Sequence, residues 1–144
     1  MRRRLTADRA ERRERRRGQS LVELCLAMPL LLLLLLGTID LGRMFYYTVQ
    51  MHNAVREGAG YGAHFPTDTG GMTSRVTTEA PFVTSATAGC TGSCVGTGGV
   101  LTGTGVVTVT ATYVFTPITT TFLQNWFGLA PVTLSASSSM NVLQ

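Results

Sequence analysis

The sequence predicts an α+β protein in which a long N-terminal transmembrane helix extends outside the membrane and packs on a small antiparallel β-sheet. Three observations predict it. A long apolar run follows an Arg-rich start, a two-faced helical pattern continues beyond that run, and two stretches near the C-terminus alternate between apolar and mainly hydroxyl-bearing residues.

The 144 residues carry a formal net charge of +4, and where that charge lies decides what it means. Residues 1–17 hold nine Arg against Asp8, Glu11 and Glu14, a local balance of +6; Arg43, Arg56 and Arg75 against Glu23, Asp40, Glu57, Asp68 and Glu79 leave the remainder at −2. The basic character therefore belongs to a tail. It lacks aromatic interleaving and any binding fold, so topology explains it with fewer assumptions than a nucleic-acid partner does.

Leu24 to Gly37 carry no charge, and Leu30 to Leu36 are seven consecutive leucines. A hydrocarbon core of ~30 Å needs roughly 20 residues of helix. Leu21 to Leu41 supply that length with Glu23 and Asp40 near the two interfaces. The positive-inside rule keeps Met1 to Arg17 cytoplasmic and exports the chain beyond Arg43. Removal of the whole apolar run as a signal peptide is disfavoured, because Asp40, Arg43, Met44, Phe45, Tyr46 and Tyr47 stand where small residues would be needed.

From Gln19 to about Gly62 the pattern allows a continuous helix, with Pro29 expected to kink it within the membrane. Beyond the bilayer, Arg43, Tyr46, Gln50, Asn53 and Glu57 fall on one side, and Met44, Met51, Val55 and Ala59 form a stripe on the other. A helix of ~44 residues is about 66 Å long, twice the hydrocarbon thickness. Its outer half needs something to pack against.

The C-terminal part supplies it. Phe65 to Gly105, rich in Thr, Gly and Ser with Pro66 and Pro81, reads as loops with at most short elements. Val107, Val109, Ala111, Tyr113 and Phe115 then alternate with Thr108, Thr110, Thr112, Val114 and Thr116. Val132, Leu134, Ala136, Met140 and Val142 alternate with Thr133, Ser135, Ser137, Ser139 and Asn141. Both are half-buried strands. Between Pro117 and Pro131 the expectation is a loop with one helical turn around Phe122 to Phe127. An antiparallel sheet on the outer half of the helix buries both apolar faces.

The residues RRRGQSLVELCLAMPLLLLLLLGTIDLGRMFYYTVQMHNAVREGAGYGA resemble the signature region of TadE-like proteins, minor pseudopilins of the bacterial tight-adherence (Flp) pilus system, a type IV pilus. The shared features are a Gly ending a basic leader, a Glu five residues later, an apolar run containing Pro and ending in I-D-L-G-R, and a downstream A-x-R-E-G-A. The resemblance implies a pilin-like fold and a prepilin peptidase substrate cut between Gly18 and Gln19, leaving Glu23 as the fifth residue of the mature chain. It also implies that Glu23 pairs with the N-terminal amine of a neighbouring subunit; a carboxylate near hydrocarbon has a physical reason to seek such a partner. The organisation is then a basic cytoplasmic leader over 1–18, a transmembrane helix with its amphipathic extension over 19–63, and an exported loop-rich β domain over 64–144. Implied partners are other pilin and pseudopilin subunits, an inner-membrane assembly platform and the peptidase. The implied location is the inner membrane, or the pilus itself.

Cys90 and Cys94 lie on the exported side, where oxidising conditions favour a disulfide. A metal would need a third ligand, and His52 and His64 have no fixed relation to that loop. Cys25 falls within the bilayer and reads as a small helix- or lipid-facing residue. Asp40 reads as the partner of Arg43 three residues on, and Glu57 beside Arg56 as part of a solvated or subunit-facing stripe. No catalytic constellation, P-loop or H-E-x-x-H is present, and VGTGGVLTGTG lacks the helix and Lys of a phosphate cradle. The expectation is a structural subunit with no cofactor and no metal. The alternative is a permanently anchored, unprocessed binding module whose loops near Cys90 and Cys94 or Phe122 to Phe127 meet a surface ligand.

Overall fold

The computed structural model describes residues 2–94, 104–120 and 130–143, with side chains described from Gln19 onward. The expected turn at Phe122 to Phe127 and most of the Gly-rich VGTGGVLTGTG stretch lie outside the described residues. The elements are helix α1 (Arg2–His64), helix α2 (Thr69–Glu79) and strands β1 (Ser85–Thr91), β2 (Val106–Phe115) and β3 (Val132–Asn141). They fall into two units, residues 1–39 and residues 40–144.

The first unit is helical from Arg2 and runs through Pro29 without interruption. Its leucines are exposed on every side, with Leu21, Leu26 and Leu30 all more than 60 % accessible. A helix apolar all round is stable only in an apolar surrounding. The helix is therefore a candidate membrane span by length and composition. Near its end the Thr38 hydroxyl donates to the Leu34 carbonyl at 2.9 Å.

In the second unit residues 40–64 of α1 lie against a three-stranded antiparallel sheet of order β1-β2-β3. The register sets Ala111 between Ala86 and Ala136, and Thr110 between Thr87 and Ser137. Because side chains alternate across a strand, one face of the sheet buries Val107, Val109, Ala111 and Ala136 against Met51, Ala54, Val55 and Ala59 of α1. The opposite face is a hydroxyl surface. On it the Thr108 and Ser139 hydroxyls meet at 3.0 Å.

The expected loop over Phe65 to Gly105 contains two further elements. Helix α2 starts where the Asp68 carboxylate accepts the Gly71 N–H at 2.8 Å. Its only buried side chains, Met72 and Val76, lie one turn apart and join the core. Strand β1 turns Ala86, Ala88 and Cys90 inward, a weak alternation because all three are small. At the end of α1, the Leu143 N–H donates to the Ala63 carbonyl at 2.9 Å, satisfying one of the acceptors that a helix C-terminus leaves open.

Candidate functional site

Helix α1 and strand β2 run antiparallel, and their contacts form a ladder that orders the second unit from end to end. Gly62 faces Val107 and Gly58 faces Val109. The Tyr47 ring lies 5.0 Å from that of Tyr113, the Arg43 guanidinium sits 5.4 Å over the Phe115 ring, and Asp40 meets Ile118 and Thr119. Small residues form the upper rungs. A Cβ on Gly58 would stand 2.9 Å from Val76 Cγ2 and 3.0 Å from the Met72 carbonyl oxygen, and one on Gly62 would stand 2.6 Å from Val107 Cγ1. Only glycine lets α2 and β2 approach this closely.

The lower end of the ladder is closed by a carboxylate. Asp40 is 6 % exposed, and its oxygens accept the Ile118 N–H at 2.9 Å, the Thr119 N–H at 2.8 Å and the Thr119 hydroxyl at 2.8 Å. Arg43 is also within 3.4 Å, so the expected local pair exists. It is the longest of the four contacts. The main role of Asp40 is to cap the turn that begins at Ile118, satisfying backbone donors that the turn cannot satisfy itself. Above it Tyr47, Phe82, Tyr113 and Phe115 form an aromatic cluster, with Tyr47 and Phe82 centroids 4.8 Å apart. Burial and the contact with Tyr47 raise the pKa of Tyr113.

At the opposite end the surface carries charged and polar groups beside the exposed Phe65 and Leu143. The Tyr61 hydroxyl donates to Asp68 at 2.8 Å, Arg75 lies 5.0 Å over the Tyr61 ring, and Arg75 reaches Glu57 at 3.3 Å. The Gly71 N–H and the Tyr61 hydroxyl hold the Asp68 carboxyl below its ordinary value, and the same Asp68 bond raises Tyr61. Glu57, exposed as a solvated stripe would be, thus also has a partner on α2. A shallow groove nearby is lined by Asn53, Arg56, Glu57, Gly60 and Met140. Cys90 and Cys94 form a disulfide at this end, with Cα atoms 6.3 Å apart. His52 and His64 are exposed, and among the described residues no three His, Cys, Asp or Glu are grouped to hold a metal ion.

Of the residues singled out in the first unit, Gln19, Glu23 and Cys25 are exposed on α1, and the Gly18 side is outside the described side chains. A family model described as TadE-like protein matches residues 18–60. This segment is TadE-like. It spans less than a third of the chain, and it takes in Glu23, the apolar run, Asp40 and Gly58. TadE-like proteins are associated with the Tad pilus and are structural rather than catalytic. No curated protein and no solved structure matches the chain. The TadE-like segment therefore includes both the candidate span and most of the residues through which α1 holds α2 and the sheet.

Proposed function

We propose that this chain is a minor pseudopilin-like assembly subunit of a Tad (Flp) pilus or a related secretion apparatus. In this reading it is held in the bacterial inner membrane by α1, with residues 1–17 cytoplasmic and the sheet unit exported. The observation that carries it is the TadE-like match over residues 18–60, which begins at Gly18 and runs through the apolar span into the stripe that packs on the sheet. A subunit built on such a helix works by position and contact. The ladder of close contacts from Gly62 to Asp40 provides a rigid body for neighbours to grip.

Processing follows the same logic. Cutting between Gly18 and Gln19 removes the Arg-rich leader, whose charge resists withdrawal of the helix from the membrane, and leaves Glu23 near the new amine. A carboxylate at the hydrocarbon boundary is stabilised by an amine from a neighbouring copy. Partners are then other pilin and pseudopilin subunits, the inner-membrane assembly platform and the prepilin peptidase.

The test is the intact mass of the protein from its native membranes, compared with a Gly18→Ala variant and with a strain lacking the prepilin peptidase. We expect a species starting at Gln19 that is absent from both controls. Retention of Met1 to Arg17 in every sample would rule out processing and favour a permanently anchored binding module.

A further inference from the structure

The second unit is polarised in a way that its packing does not require. At the Asp40 end, Phe45 (70 % exposed), Ile118 and Val132 all leave apolar surface open, joined by Leu41 and Val114. Among the described residues, the ionisable acids and bases at that end, Asp40 and Arg43, are turned onto each other and onto the Ile118 turn. Toward the other end the surface carries His52, Arg56, Glu57, His64, Asp68, Arg75 and Glu79. Exposed apolar residues scattered singly need no explanation. Five such residues gathered in a rim at one pole, where the described acids and bases turn inward, do; Phe65 and Leu143 at the other pole stand among charged side chains.

We propose that this rim is a lipid-contacting surface, seating the exported unit in the interfacial layer of the bilayer in addition to the anchorage that α1 provides. What identifies lipid as the occupant is continuity. The apolar run of α1 ends at Leu41, and Phe45 continues its outward-facing side one turn further. The Ile118 turn is bonded to Asp40, at that same boundary residue. Apolar faces of interfacial elements bury about 5–10 Å into the headgroup and acyl boundary. Phe45, five residues beyond Asp40, stands about 7.5 Å further along a helix. Tyr46, exposed beside it, has the apolar body and polar tip favoured at that level. Asp40 is a positioning residue in this arrangement: its bonds bring Ile118 to the boundary while its own charge is satisfied within the protein.

The inference rests on α1 crossing the bilayer, and the experiment separates the two. In full-length protein carrying Cys25→Ser and an intact Cys90–Cys94 disulfide, an environment-sensitive fluorophore is placed on single cysteines at Leu33, Phe45, Ile118, Val132 and Phe65. Quenching is then measured in phosphatidylcholine vesicles whose acyl chains are brominated near the headgroup and, for Leu33, in vesicles whose chains are brominated near their methyl ends. We expect quenching at Phe45, Ile118 and Val132 at least about twofold above that at Phe65, which lies at the opposite pole. Quenching at Leu33 with Ile118 and Val132 no different from Phe65 overturns the rim while leaving the span intact. Absence of quenching at Leu33 overturns both. Crosslinking of the Ile118→Cys position to a second copy without lipid quenching also overturns it, in favour of a protein partner.

Discussion

The stretches Leu21–Ile39 and Asp40–His64 belong to one helix and are built on opposite side-chain rules. The first is filled with leucines exposed all round. Besides Asp40, the second buries one stripe of Met51, Ala54, Val55, Gly58, Ala59, Gly62 and Ala63, and two of those seven have no side chain. Where the surrounding is lipid, any large apolar residue in any direction serves. Where the surrounding is protein, the contact is specific, and the helix must be narrow at the positions where α2 and β2 press on it. Composition therefore says less about each stretch than its surroundings do. Asp40 is the first residue of the second regime, and it belongs to that regime through partners 78 and 79 positions away.

The largest effect that tests this contrast is expected at Asp40. Asp40→Ala removes the acceptor from two backbone N–H groups and a hydroxyl in a part-buried setting, and should destabilise the second unit by about 2–3 kcal/mol. Asp40→Asn keeps an oxygen acceptor and should lose less. Arg43→Gln should cost under about 1 kcal/mol, because a half-exposed pair at a long distance contributes little. Thermal unfolding of the full chain in detergent, followed by the near-ultraviolet circular dichroism of the Tyr47 and Tyr113 cluster, gives the ranking. Equal losses for Asp40→Ala and Arg43→Gln would restore the local ion pair as the reason for Asp40.

A matched pair of glycines separates the two stretches directly. Nothing lies within 4 Å of a Cβ built on Gly37, whereas one on Gly58 meets the α2 backbone at the Met72 carbonyl. Gly37→Ala should leave unfolding unchanged or raise its midpoint, since alanine is the better helix former by about 1 kcal/mol. Gly58→Ala gains the same propensity but forces α2 outward, and overpacking of this kind costs about 1–3 kcal/mol. We expect a net loss of about 1 kcal/mol at Gly58 from the balance of these terms. Two substitutions with the same effect would mean that α2 yields freely and that the narrow stripe is not required.

The parts of this architecture that are legible in the sequence are those with a strong period or an extreme composition. The seven leucines announce the candidate span, the alternation in TVTATYVF and in VTLSASSSM announces β2 and β3, and Met51, Val55 and Ala59 mark the buried side of α1. Helix α2 is not legible, because TGGMTSRVTTE has poor intrinsic helix propensity and offers only Met72 and Val76 as an apolar pair. Its stability comes from packing on Gly58 and Gly62, which no local pattern reveals. The available signal is Asp68 three residues before Gly71, a cap placed just ahead of the Met72 and Val76 spacing. Strand β1 is hidden for a related reason, since Ala86, Ala88 and Cys90 give little contrast with their Ser, Thr and Gly neighbours. The carboxylate at residue 40 is visible as a charge beside an apolar run, but its partners can be found only once the turn after β2 is in place. The apolar outward side at Phe45 and Val49 is masked because Tyr46, Gln50 and Asn53 make that half of the helix read as polar.

The smallest effect expected is a pH dependence at the Asp68 cap, on the helix that the narrow stripe admits. The carboxyl is held below its ordinary value of 3.8 by the Gly71 N–H and by Tyr61, and the bond from Tyr61 in turn holds that phenol above its ordinary value of 10.0. A depressed carboxyl contributes stability that is fully present above its unfolded pKa and disappears as the pH falls through the folded one. A raised phenol contributes stability that is present below its unfolded pKa and disappears as the pH rises through the folded one. The pair therefore supports the α2 start across the interval between those ordinary values and weakens it outside on either side. Because both groups face solvent, the change is a small shift in midpoint and is reduced by salt. Comparing unfolding midpoints at pH 3 and pH 6 for the unmodified chain and for Asp68→Asn isolates it: asparagine can still cap the helix but does not titrate there, so the variant should show the smaller difference between the two pH values. If both proteins lose the same amount on acidification, the acid sensitivity resides elsewhere, and α2 is held by Met72 and Val76 in the narrow stripe without measurable help from its cap.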